Sequence, residues 1–277
     1  LNIHLGKILE LLREIIFRPA FPVKELEALM NKRLQWFMVN REKVQSLAYD
    51  KFIESIFGGN HPYGRKIIED NFKNMVPSFL SDFHSKYYTT DNMAVIVSGK
   101  IDPATMELLN DYFGDLKPGV KDKDVILPGI RGEKDKKVQI SKKGAVQCAI
   151  RIGSVTINKR HIDYPGLKIT DLILGGYFGS RLMKNLREDK GYTYGISSSV
   201  ISLDKSGYKV IAADVGKENI KKALEEIYRE INLLKTKPVG KAELDAVRNY
   251  MTGEMVRMFD GPFSLAESFK SAWEFGL

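Results

Sequence analysis

The chain has 277 residues, enough for two domains that each bury a core, and its 43% apolar and 28% charged residues are ordinary for a soluble globular protein. No run approaches the ~20 apolar residues that span a bilayer, and no basic stretch followed by an apolar one marks a leader. The net charge of +8 is scattered, and its densest cluster, Lys134 to Lys143, has no arginine fork and no stacking aromatic, so it reads as solvated surface rather than a nucleic-acid face.

Leu5, Ile8, Leu12, Ile15 and Ile16 fall on one face of a first helix over 1–17, which starts without a cap and so reads as cut from something longer. Pro19 and Pro22 end it. A long helical stretch then runs to about Phe57, and Gly58 to Gly64, with three glycines and a proline, is dense turn chemistry. A helix from Val76 to Tyr87 leads into Met93–Gly99, an apolar run bounded like a buried strand. Asp102 and Pro103 then supply a helix cap and first turn.

From 117 to 135 the composition turns to Lys, Asp, Gly and Pro without an apolar period, the mark of a linker. Beyond it, Lys137–Lys142 and Val146–Gly153 read as strands, the second alternating Val146, Cys148, Ile150 and Ile152 with Gln147, Ala149 and Arg151. Helical runs follow, including Ser180 to Lys190, then a hairpin of Tyr194–Ser202 and Tyr208–Val215. Asn219–Leu234 is an amphipathic helix, and more helix extends from about Lys241 to the end, with no closing strand. Grouped helices and short hairpins predict an α+β fold with an antiparallel sheet, divided into 1–116, a linker 117–135 and 136–277, and both ends read as truncated.

Most enzyme chemistries find no candidate. The four histidines, His4, His61, His84 and His161, include no pair on one helical face, so neither H-E-x-x-H nor H-x-x-E-H is present. The single Cys148 excludes an intrachain disulfide and a cysteine zinc cage, and its place inside a predicted strand is wrong for a nucleophile. No phosphate loop or nucleophile elbow occurs, and Leu174 to Gly179 lacks dinucleotide-binding spacing. Arg187 and Tyr194, seven residues apart across a helix-to-strand turn, are left. Arginine offers a planar fork of donors and tyrosine a rigid phenol, both suited to peptide carbonyls. On residue types alone the simpler reading is a charged helix end and a strand tyrosine packed on its own sheet.

Matching pieces along nearly the whole chain nevertheless resemble the pitrilysin-type, inverted-zincin peptidase family. They are Phe21-Pro22 before the long helix, His61-Pro62-Tyr63-Gly64-Arg65, Tyr87-Tyr88 before Asp91-Asn92-Met93, Ser98-Gly99 before Ile101-Asp102, and Tyr112-Phe113-Gly114-Asp115-Leu116. Leu174-Gly175-Gly176, Ser180-Arg181-Leu182-Met183, Leu186-Arg187-Glu188 and Gly191-Tyr192-Thr193-Tyr194-Gly195 complete the series. Their order and spacing carry the resemblance; no single piece does.

The resemblance implies two similar α+β domains, here shortened at the N-terminus of the first and the C-terminus of the second, in a unit that closes like a clamshell with a second unit around a peptide. Zinc in such enzymes sits in one unit, on the two histidines of H-x-x-E-H and a later glutamate. The opposing unit contributes an arginine and a tyrosine that contact substrate, and Arg187 and Tyr194 fall on those positions. In catalytic members the glutamate precedes the His-Pro-Tyr-Gly turn by a distance that reaches the neighbourhood of Phe37, where Arg33 to Asn40 contains no carboxylate. Zinc needs that charge beside two neutral imidazoles.

The resemblance thus implies the non-catalytic, peptide-binding half of a metallopeptidase, inactive alone, with no metal in this chain and zinc in a partner half or subunit. The alternatives are a catalytic unit with H-x-x-E-H upstream of residue 1, and a scaffold like the family's respiratory-complex core subunits. The sequence sets no compartment; family analogy alone points to export, for instance to a periplasm.

Overall fold

The computed structural model describes residues 4–114 and 127–277. Its helices are α1 (Leu5–Phe17), α2 (Val23–Arg41), α3 (Val44–Phe57), α4 (Glu69–Lys73), α5 (Pro77–Tyr87) and α6 (Pro103–Phe113), then α7 (Tyr164–Asp171), α8 (Ile220–Thr236), α9 (Lys241–Met258) and α10 (Gly261–Phe275). Strands β1 (Gln147–Thr156), β2 (Thr193–Ser202) and β3 (Gly207–Gly216) form an antiparallel sheet in the order β1-β3-β2. The architecture is mixed helix with a small antiparallel sheet, as the α+β reading requires.

Several local expectations are met. Asp102 caps α6, its Oδ1 accepting from the Thr105 amide at 2.9 Å and the Thr105 hydroxyl at 2.7 Å, with Pro103 in the first turn. These two donors, the hydroxyl first, hold the Asp102 carboxyl below its ordinary pKa. Gly58 ends α3 at φ 87°, a left-handed conformation that suits glycine.

Other expectations need correction. The long second helix is two, broken between Arg41 and Val44. Met93–Gly99 pairs with no strand among the described residues, and Val95 and Val97 are exposed. An apolar run is not a strand until its backbone groups find a ladder. Lys137–Lys142 likewise finds no ladder among the described residues; Lys137 is exposed and Lys142 pairs with Glu42 at 2.5 Å. Of the expected linker, 117–126 lies outside the described residues. Further on, Glu133 is tied down: its amide donates to the Ser55 carbonyl at 2.8 Å, and its carboxylate takes Lys51 at 2.6 Å and the Ser55 hydroxyl at 3.1 Å.

The chain forms two compact units. One, built from Leu1–Phe37, Ile67–Ile126 and Phe259–Lys270, has helices as its regular elements among the described residues. In it Phe17 meets Phe113 at 6.4 Å between ring centroids, Phe37 packs on Phe72 at 5.2 Å, and the His84 ring lies against Phe21 and Tyr88.

The other unit, Met38–Lys66, Leu127–Met258 and Ser271–Leu277, holds the sheet in three layers. Alternation along β3 sends Tyr208 and Val210 to one face, where they pack with Phe52 and Phe57 of α3. Ile211, Ala213 and Val215 go to the other face and meet Leu182, Leu186, Ala223 and Ile227. Gly153 lets α3 approach the sheet, because a Cβ there would run into the Lys209 carbonyl and stand 2.9 Å from Phe52 Cζ. Tyr49 and Tyr208 share a hydroxyl hydrogen bond of 2.7 Å, and burial pushes the Tyr208 phenol well above its ordinary pKa.

Candidate functional site

The segment that carries Arg187 is helical as expected but wound as a π-helix, Met183–Asp189, like the shorter Leu172–Gly176 before it. The Lys190 amide accordingly bonds the Asn185 carbonyl five residues back at 3.1 Å. Buried Leu182, Met183 and Leu186 anchor the turn in the core. Asn185 ties it to α8, its Nδ2 donating to Glu226 at 2.9 Å and Glu230 at 2.6 Å. Arg181 adds a two-pronged contact to Glu243 of α9, Nε at 2.7 Å and Nη2 at 2.8 Å, which raises the arginine's pKa further.

Gly191, at φ 62°, then reverses the chain, and the Tyr192 amide closes back on the Leu186 carbonyl at 2.8 Å. This closure fixes β2 against the end of the π-helix. Arg187 follows Leu186 on one side of it and Tyr194 lies two residues beyond Tyr192 on the other.

Both predicted site residues are exposed. The Arg187 guanidinium lies over the Phe178 ring, 4.8 Å from its centroid, and Phe178 is itself 62% exposed. Tyr194 is 92% exposed. Among the described residues neither Arg187 nor the Tyr194 hydroxyl has a hydrogen bond or ion pair, so their donors are available to a bound backbone. The simpler reading, with Tyr194 packed on its own sheet, is not what the structure shows.

The reason is a β-bulge. Thr193 pairs with Val215 and Ile196 with Ala213, so Tyr194 and Gly195 together face the single residue Asp214. Simple alternation hides this, although a Thr-Tyr-Gly opening, with glycine inside a strand, is a recognised bulge signal. On the buried face of β2, Asp171 accepts from the Ser198 hydroxyl at 2.5 Å, with Lys168 Nζ at 3.8 Å. Burial pushes its carboxyl above the ordinary range, against the Ser198 bond and the lysine. Sequence reasoning missed this group, since a lone Asp at a helix end carries no distinguishing pattern.

Two of the four histidines are held structurally. His61 is buried, stacked on Phe57 at 5.6 Å, with Nδ1 accepting the Tyr63 amide hydrogen at 3.1 Å. His84 Nε2 donates to the Ile16 carbonyl at 2.6 Å. Among the described residues no group of three or more His, Cys, Asp and Glu converges as a metal site. Helix α2 supplies Phe37, not a carboxylate, at the position where a zinc-binding glutamate is sought. The described residues therefore do not fit zinc, and no hydrolytic step is drawn through a metal in this chain.

The family model described as the peptidase M16 inactive domain matches residues 76–251. The chain belongs to the M16 peptidase family. A Bacillus subtilis relative, named as the uncharacterized zinc protease YmxG, is 24% identical over 258 residues, covering 92% of this chain and 62% of its own length. Among solved structures, the M16 inactive domain from Pseudomonas fluorescens superposes with a TM-score of 0.81 at 22% identity, over 98% of this chain and 64% of that one. A protease from Helicobacter pylori gives 0.83 at 20%, over 99% and 68%. The chain thus spans somewhat under two thirds of the YmxG relative, and the structural matches speak for the fold alone.

Proposed function

We propose that this chain is the non-catalytic, peptide-binding wall of an M16 peptidase, with Arg187 and Tyr194 as the residues that hold the substrate backbone. Zinc and the hydrolytic step belong to a partner half of the same family, with which this wall closes on the peptide. The observation that carries the reading is a pair of donors without a hydrogen bond or ion pair among the described residues: an exposed guanidinium and an exposed phenol, both set by core-anchored backbone. Such donors orient a peptide carbonyl and exclude misaligned binding, which is how a wall without acid or base raises a rate.

The test is cleavage of fluorescein-labelled casein by the peptidase reconstituted from this chain and its zinc-bearing partner. Arg187→Ala and Tyr194→Phe are each expected to lower kcat/KM by roughly tenfold, the worth of one hydrogen bond to a substrate carbonyl. Unchanged rates in both variants sink the proposal.

The contact of Arg187 with Phe178 favours a second reading, a scaffold subunit in which the arginine only packs. On that reading Arg187→Ala lowers the melting temperature slightly and leaves cleavage alone.

A further inference from the structure

We infer that Thr193 is the positioning residue of this site: its hydroxyl clamps the bulge that decides which side of the sheet Tyr194 faces. The bearing of this clamp on cleavage rests on the reading of Tyr194 given above; the clamp itself does not.

The argument begins with parity. In a regular strand residues i and i+2 share a face, so Tyr194 would point with Ile196, Ser198 and Val200. Those three are buried, Ile196 at 4%, Ser198 at 6% and Val200 at 8% exposure, whereas Tyr194 stands at 92%. Thr193, three residues before Ile196, is buried on the same side at 8%. The extra residue of the bulge produces this phase change, and without it Tyr194 would be directed toward the core.

A bulge needs something to hold it, because it interrupts the ladder. Here the Thr193 Oγ1 accepts the Gly195 amide hydrogen at 3.1 Å and has two carbonyls within donating distance, Gly195 at 2.8 Å and Asp214 at 2.7 Å. Its single proton serves these two acceptors, one on its own strand and one across the ladder on β3. Asp214 is the residue that the bulged pair faces, so the hydroxyl bonds both sides of the irregularity. Valine keeps the shape of threonine but can make none of these bonds, whereas serine can make them all.

The test uses the full chain with Cys148→Ser to remove the native thiol and Tyr194→Cys to place a reporter at the exposed position. The reporter's labelling rate with DTNB is expected to fall at least about tenfold when Thr193→Val is added, as burial of a thiol lowers its reactivity. Thr193→Ser should keep the rate within about twofold of the parent. An unchanged labelling rate in Thr193→Val overturns the clamp, whatever happens to cleavage.

A second arm measures kcat and KM on fluorescein-labelled casein in the reconstituted peptidase, with Tyr194 in place. Thr193→Val should lose about as much kcat/KM as Tyr194→Phe, Thr193→Ser should restore it, and the double variant Thr193→Val with Tyr194→Phe should be no worse than either alone. Losses that multiply in the double variant mean that Thr193 acts through general stability, and the positioning role falls. If Tyr194→Phe alone costs nothing while labelling still responds to Thr193→Val, the substrate reading fails and the clamp stands.

Discussion

In the unit that holds the sheet, Leu182, Leu186 and Ile227 have no exposed surface at all, and Val215 has 1%. In the helical unit, only Leu9 and Leu26 among the described apolar residues are buried, while Ile8, Leu11, Leu12, Ile15 and Phe83 remain between 41% and 60% exposed. Periodicity marked the helices of both units, yet among the described residues only the unit with the sheet closes a dense core around its elements. The difference teaches where a geometric task can be placed. Arg187 and Tyr194 stand on backbone held by packed neighbours, and a donor aimed at a substrate atom needs that support.

The strongest way to break this contrast is Leu186→Ala. Truncating a fully buried leucine in a packed layer should cost about 3–5 kcal/mol, read by urea denaturation, and should loosen the turn that carries Arg187. A cost below about 1 kcal/mol would mean that the layer relaxes freely and the contrast is false.

Asp171 sharpens the comparison through pH. Its folded-state pKa is raised by burial, so between the ordinary aspartate value near pH ~4 and the higher folded value the unfolded chain has released its proton while the folded chain keeps it. Stability should therefore decline as pH rises through that window and level off above the folded pKa. Asp171→Asn should flatten the decline while keeping an acceptor for Ser198. Identical pH profiles for the two proteins would show that the carboxyl feels no burial penalty.

Tyr49→Phe is expected to cost about 1 kcal/mol, since it leaves the buried Tyr208 hydroxyl without its partner. Leu12→Ala, on the exposed side of α1, should cost under about 1 kcal/mol by the same denaturation assay. A loss matching that of Leu186→Ala would erase the distinction between the units.

The legible parts of the molecule were those governed by local rules. The Asp102 and Pro103 cap, the break at Pro19, the amphipathic α8 and the β2–β3 hairpin all follow from residue type and period. The apolar runs 93–99 and 137–142 were not, because a strand is defined by a partner whose identity the run does not encode. At the site, Arg187 and Tyr194 could be singled out in the sequence, but the exposure of Tyr194 could not. It depends on one extra residue in a ladder and on a threonine hydroxyl reaching across to β3, neither of which alters the apparent alternation.

The π-wound turn at Met183–Asp189 has a consequence for anyone who projects this chain on a helical wheel. Each of its closures spans five residues where an α-helix spans four, so a 100° wheel drawn forward from Ser180 assigns Arg187 the wrong azimuth. Counting backward from Gly191, whose left-handed φ fixes the chain reversal, crosses fewer of the π-wound residues and shortens the error. Designs that graft this donor pair onto an ideal α-helix would therefore have to shift the arginine by one position to point it the same way.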